Sequence, residues 1–146
     1  MRLSAQTDFA LRTLMFLAAR PGHHSIAEIA DGYGISRNHL MKVAQRVVAE
    51  GFAKSVRGRG GGLMLARDSN DINVGAVVRT IEDFGAFVEC FQPLGKGCVV
   101  TPVCGLRHVL TGGLEAFLKH LDRFTVADLV ADPAAFSAAL RPAELF

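Results

Sequence analysis

Three cysteines, Cys90, Cys98 and Cys104, fall within the fifteen residues CFQPLGKGCVVTPVC, and the rest of the chain contains none. Their C-x7-C-x5-C spacing is wider than the C-x2-C knuckles of ordinary zinc sites. It also lacks the tight C-x2-C-x2-C run of a bacterial ferredoxin. A loop of this kind suits wrapping a guest larger than one zinc ion. Three thiolates are one short of a tetrahedral set for zinc or a cubane iron-sulfur cluster, so a fourth ligand has to come from elsewhere. Redox-active thiols, a disulfide with one thiol left over, and three buried inert thiols are the competing readings. Asp8 and Arg12 interrupt the apolar N-terminal run, so no signal-peptide core is expected there. That points to a reducing cytoplasm, where clustered cysteines bind metal or sense redox state more often than they form staples.

The elements that must position this loop begin with a basic segment. The 146-residue chain is half hydrophobic and has a net charge of +2. Residues 35–67 hold Arg37, Lys42, Arg46, Lys54, Arg57, Arg59 and Arg67 against Glu50 alone, a local charge of +6 that leaves −4 for the remainder. Such a concentration is a footprint for a polyanion and predicts binding that weakens steeply with salt. No apolar run approaches the roughly 20 residues needed to span a bilayer, so no membrane partner is expected.

Helical periodicity runs from Thr7 to Arg20, with Asp8 in the opening turn, where a carboxylate meets the helix dipole favourably. Ser25-Ile-Ala-Glu28 is a capping box that opens a second helix, and Gly32-Tyr-Gly34 breaks it. Ser36 is then expected to cap a third helix running to about Glu50, with Leu40, Val43, Ala44 and Val47 inward and Gly51 as the stop. Two helices joined by a short glycine-containing turn form a helix-turn-helix pattern. The exposed start of the third helix carries Ser36, Arg37, Asn38, His39 and Lys42. Arg pairs with guanine and Asn with adenine in the major groove, each good bidentate pair giving about 1–3 kcal/mol of discrimination.

Phe52–Val56 and Leu63–Ala66 read as short strands joined by Arg57-Gly-Arg-Gly-Gly-Gly62, a wing with Arg57 and Arg59 at its tip for the phosphate backbone or minor groove. A nucleotide loop is excluded, because Leu63 stands where a third glycine is needed and no Gly-Lys-Ser/Thr follows. Ile72–Asp83 reads as a fourth helix leading into the cysteine loop, which mixes Gly, Pro and Lys and predicts no regular structure. Thr101-Pro102 is expected to open a long helix with Val103, Leu106, Val109, Leu110, Leu114, Phe117, Leu118, Leu121 and Phe124 on one stripe. That stripe is too long for a lone helix on a small domain and points to pairing with a second chain; packing within the monomer is the alternative. Gly112-Gly113, at about 1 kcal/mol each relative to alanine, predicts a bend or a close helix crossing. Thr125-Val-Ala-Asp128 resembles another capping box, and residues 133–146 read as a loosely held tail.

The expected fold is mainly α with a small β-hairpin wing. It comprises a winged helix-turn-helix domain over residues 1–84, a cysteine-rich loop over 85–100, and a dimerisation helix with C-terminal tail over 101–146. No Ser-His-Asp or Cys-His constellation, phosphate loop or carboxylate pair suggests an enzyme.

Taken together, MRLSAQTDFALRTLMFLA, YGISRNHLMKVAQRV, VRGRGGGLMLA, INVGAVVRTIED, the three cysteines and LDRFTVADLV resemble the NsrR group of nitric-oxide-sensing repressors, relatives of the iron-sulfur regulator IscR. The resemblance covers nearly the whole chain. It implies a cytoplasmic homodimeric repressor of double-stranded operator DNA, with an inverted repeat as the site. It also implies an iron-sulfur cluster, [4Fe-4S], on Cys90, Cys98 and Cys104, with Asp8 as a fourth ligand given across the dimer and nitrosylation releasing the DNA. The interval between the first two cysteines is longer than usual for the group, with Pro93 and Gly95 to Gly97 in it, which leaves [2Fe-2S] open. Arg107 stands where IscR carries a histidine ligand, and His108, one helical turn after Cys104, is the rival fourth ligand. A sensor of iron-sulfur supply or redox state is the alternative within this superfamily, and a cluster-bearing electron carrier or enzyme the alternative outside it.

Overall fold

The computed structural model describes residues 2–92 and 98–141. Among these, six helices and one two-stranded hairpin form a mainly α fold with a β wing: α1 (Ala5–Ala19), α2 (Ile26–Tyr33), α3 (Arg37–Ala49), β1 (Ala53–Val56), β2 (Gly62–Leu65), α4 (Val74–Ile81), α5 (Gly105–Leu121) and α6 (Pro133–Ala139). The core forms around α1. Its Ala10, Leu14, Phe16 and Leu17 are buried against Ile29 of α2, Leu40 and Val47 of α3, and Val77 and Ile81 of α4. Ala10, Leu14 and Leu17 on α1, Leu40, Val43, Ala44 and Val47 on α3, and Val77 and Ile81 on α4 recur at three- and four-residue intervals, so each of these helices puts one apolar stripe inward. The strands pair antiparallel with Ala53 opposite Leu65 and Val56 opposite Gly62.

The C-terminal half of α5 is fixed to α4. The backbone N–H groups of Val74 and Val126 donate to Phe124 and Ile72 at 3.0 and 2.9 Å. The Asn73 amide donates to the Asp122 carbonyl at 2.7 Å, and Arg79 forms a two-pronged ion pair with the Asp122 carboxylate. Among the described residues the N-terminal half of α5 has no such support. Leu118 is the one buried residue of the helix, whereas Leu106 and Val109, and Val103 in the turn before it, are 60%, 71% and 87% exposed. Among the described residues nothing outside the helix itself lies within 4 Å of where a Cβ on Gly112 or Gly113 would stand, and α5 runs through them without interruption.

Two expectations are corrected here. Thr101-Pro102 does not open α5. Thr101 turns its hydroxyl back to the Cys98 carbonyl at 2.6 Å, Thr101–Val103 close a single 3-10 turn, and α5 starts at Gly105 with Cys104 as its N-cap. The segment after residue 132 is not a loose tail as far as residue 141. Asp132 caps α6 through the Ala135 N–H at 2.9 Å, Pro133 takes the first helical position, and the helix packs on α1 with Leu140 buried behind it. The Asp-Pro pair was the legible signal for this helix. The last five residues of the expected tail lie outside the described residues.

Candidate functional site

The helix-turn-helix is set by local chemistry. Ser25 accepts the Glu28 N–H at 3.1 Å while Glu28 accepts the Ser25 N–H at 2.8 Å, closing the capping box at the start of α2. The Ser25 backbone bond is the largest influence holding the Glu28 carboxyl below its ordinary value, with the smaller Ser25 and His24 contacts adding to it against partial burial. Gly34 ends the helix at φ +65°, a conformation natural to glycine, and donates back to Ala30 and Asp31. Ser36 then sits at the N-cap of α3 with no side-chain capping bond, so its hydroxyl is not engaged by its own helix. Leu40, Val43, Ala44 and Val47 bury one face of α3 and leave Ser36, Arg37, Asn38, His39 and Lys42 exposed on the other.

The hairpin presents Arg57 and Arg59 at its exposed tip, where Gly58 and Gly60 adopt φ of +104° and +75°. Its orientation is set by two histidines between α1 and α2, His23 and His24. The His23 ring donates to the Gly60 carbonyl at 2.8 Å, and the His24 main chain exchanges bonds of 2.9 and 2.8 Å with Leu63. The wing is thereby tied to the segment between α1 and α2.

The basic segment is not uniformly available. Arg46 pairs with Glu50 at 3.1 Å and donates to the Thr80 carbonyl at 3.0 Å, which commits it to the contact with α4. Arg67 lies over the Phe52 ring. Among the described residues Lys42, Lys54, Arg57 and Arg59 make no ion pair, whereas Arg37 is held by Asp31 at 2.9 Å. Sequence reasoning missed Asp31, because a contact made around a turn lies outside the three- and four-residue helical rule.

The cysteine loop hangs from the end of α4. Cys90 sits within the 3-10 turn Glu89–Phe91, Cys98 precedes the turn Thr101–Val103, and Cys104 caps α5. All three are free thiols and half-buried. Residues 93–97, with the Pro and Gly of the enlarged interval, lie outside the described residues. Among those described, no three His, Cys, Asp or Glu side chains gather as a metal-ligand set, so one chain does not draw Cys90, Cys98 and Cys104 together as ligands, with or without Asp8 or His108. His108 is exposed on the first turn of α5. Asp8 lies on the first turn of α1, 44% exposed, and accepts from Arg12 Nε at 3.1 Å and pairs with Nη2 at 3.0 Å.

The turn carrying Asp8 is itself anchored to the foot of the cysteine loop. Glu82, just past α4, accepts from the Ser4 N–H and hydroxyl. Burial pushes the Glu82 carboxyl up, but the bonds from Thr7, Ser4 and the Asp83 N–H outweigh it and leave the group below its ordinary value.

Comparison with known proteins agrees with this geometry. The Rrf2 family, described as an iron-dependent transcriptional regulator, matches residues 3–132. The HTH-type transcriptional regulator NsrR of Bacillus subtilis is 52% identical over 132 residues, 89% of this chain and 90% of that protein. NsrR of Geobacillus kaustophilus is 43% identical over 143 residues, 97% of each chain. Among solved structures, T. potens IscR aligns with a TM-score of 0.69 at 27% identity, over 93% of this chain and 90% of its own. CymR of B. subtilis, the global cysteine regulator, shares the fold with a TM-score of 0.68 at 22% identity, over 90% and 97%. The matched span takes in the helix-turn-helix, the wing, the cysteine loop and α5, and the chain belongs to the Rrf2 family of transcriptional regulators.

Proposed function

We propose that this protein is a cytoplasmic, homodimeric repressor that binds double-stranded operator DNA at an inverted repeat and releases it in response to nitric oxide. The observation that carries the dimer, and with it the site, is that Cys104 stands at the N-cap of a helix whose Leu106 and Val109 are bare, with Val103 of the preceding turn bare beside them. Apolar side chains in that number call for cover by a second copy, in keeping with the two-fold symmetry of most DNA-binding dimers. The thiols then lie at the subunit boundary, where the partner subunit's Asp8 is available to complete a set that one chain leaves incomplete.

The donors fit an iron-sulfur cluster. Three unpaired thiols are the soft ligands such clusters take, and a half-exposed carboxylate supplies a fourth. In this reading Cys90, Cys98, Cys104 and the partner subunit's Asp8 hold a [4Fe-4S] cluster, with His108 the rival fourth ligand. When bound, the cluster supplies iron that reacts with nitric oxide at the expense of protein ligands. The protein's own part is mechanical. Asp8 rides on α1, and α1 packs directly on α3, so anchoring Asp8 at the other subunit fixes the spacing of the two reading helices. Ser36, Arg37, Asn38, His39 and Lys42 then meet the major groove, and Arg57 and Arg59 the flanking backbone. A hundredfold change in operator affinity requires about 2.7 kcal/mol of coupling.

Visible absorption of anaerobically prepared protein, followed by operator binding before and after stoichiometric nitric oxide, tests this reading. An iron-sulfur charge-transfer band that bleaches as DNA is released supports it. Protein that stays colourless after anaerobic cluster reconstitution overturns it. The family's description as iron-dependent and the likeness to an IscR favour a second reading, a regulator of iron-sulfur supply or redox state. That reading predicts DNA binding that follows cluster loading but ignores nitric oxide.

A further inference from the structure

We propose that Arg141 is a phosphate contact, so that the C-terminal segment forms part of the DNA-binding surface together with α2, α3 and the wing. The inference rests on the DNA-binding reading above. It begins with the docking of α6. Leu140 is 9% exposed and joins the central core, Arg20 Nη2 donates to the Ser137 carbonyl at 3.2 Å, and the Arg141 N–H donates to the Gly32 carbonyl at 3.0 Å. The backbone of Arg141 is therefore fixed to the end of α2, and its side chain starts from a defined point.

From there the guanidinium lies over the turn of the helix-turn-helix. A methyl group at Gly34 would stand 2.6 Å from Arg141 Nη1 and 2.9 Å from Cζ. Gly34 is therefore needed twice, for its φ of +65° and for the space the guanidinium occupies. Two residues further on is Ser36, followed by Arg37 and Asn38 at the start of the reading helix. When the N-terminal residues of such a helix face base edges, the turn just before it lies beside the phosphate strand bordering the groove. Arg141 is exposed, so its charge is already solvated. Its planar fork matches a phosphate, and a pre-positioned arginine loses little conformational freedom on meeting one. At the same turn the Asp31 carboxylate is already paired with Arg37 at 2.9 Å, and the Arg141 guanidinium over Gly34 adds a second positive charge, so the turn is net positive.

A phosphate contact positions without reading sequence, which defines the test. Binding of the full-length protein to a mixed-sequence duplex about three helical turns long is measured by fluorescence anisotropy across a salt series. The proteins compared are wild type, Arg141→Ala, Arg141→Lys and Arg59→Ala. Loss of the contact makes the slope of log K against log salt shallower by about 0.9 for each protomer engaged, and lysine, which keeps the charge, retains most of the slope. The thermal midpoint of Arg141→Ala stays at the wild-type value, because the guanidinium is exposed. A wild-type slope in Arg141→Ala, with a reduced one in Arg59→Ala, overturns this assignment and leaves the DNA reading standing. Equal losses in the alanine and lysine variants also overturn it, assigning Arg141 to packing over Gly34. Absence of salt-dependent binding by the wild type overturns the DNA reading as well.

Discussion

Glu82 accepts the main-chain N–H of Ser4 at 2.9 Å and its hydroxyl at 3.1 Å, so the first turn of α1 and the foot of the cysteine loop are joined within one subunit. Asp8 is one helical turn beyond Ser4, and its N–H donates to the Ser4 carbonyl at 3.0 Å. The position of the Asp8 carboxylate therefore depends on a residue 78 positions away from Ser4 in sequence.

Glu82→Gln removes a charged acceptor and is expected to lower stability by about 1 kcal/mol at neutral pH. The Glu82 carboxyl is held below 4.5 in the folded protein, so its stabilisation is full above that value and is lost as pH falls through the lower folded value. Urea unfolding at neutral and acidic pH should show the variant losing less stability on acidification than the wild type. An unchanged acid dependence would mean that the Ser4–Glu82 contact does not persist in solution.

Asp31→Asn releases Arg37. An exposed pair of this kind contributes about 0.2–1 kcal/mol, so DNA affinity is expected to rise by up to about fivefold. The gain should be greatest at low salt. Titration with operator and mixed-sequence duplexes checks this, and reduced affinity would assign Asp31 to holding Arg37 in its reading position.

Leu106→Glu or Val109→Glu places a charge on the bare face of α5, where it is harmless to the monomer fold and costly in an apolar interface. Sedimentation should show dissociation into monomers with the helical circular-dichroism signal retained. Dimers that persist in both variants would place the interface elsewhere.

Asp8→Ala removes the expected cross-subunit ligand and also the partner of Arg12. Cluster stability or the visible spectrum should change while the fold is kept, since the Asp8 side chain is half-exposed. Spectra and nitric-oxide response identical to the wild type would reject Asp8 and direct attention to His108→Ala.

What the sequence determined by itself was local. The capping boxes at Ser25 and Thr125, the stop at Gly34, the inward stripe of α3 and the glycine-rich wing tip each depend on residues no more than a turn or a hairpin apart. The unfinished stripe on α5 was legible for the same reason, since periodicity reports a buried face before it reports what covers it. Tertiary structure decided the rest. It decided that Thr101 would turn back to Cys98 and delay α5, that α6 would dock on α1 and carry Arg141 to Gly34, that Asp31 would hold Arg37, and that Glu82 would hold Ser4. Those contacts join groups whose meeting depends on how packed helices bring distant or turn-separated residues together, and no residue spacing along the chain encodes that geometry.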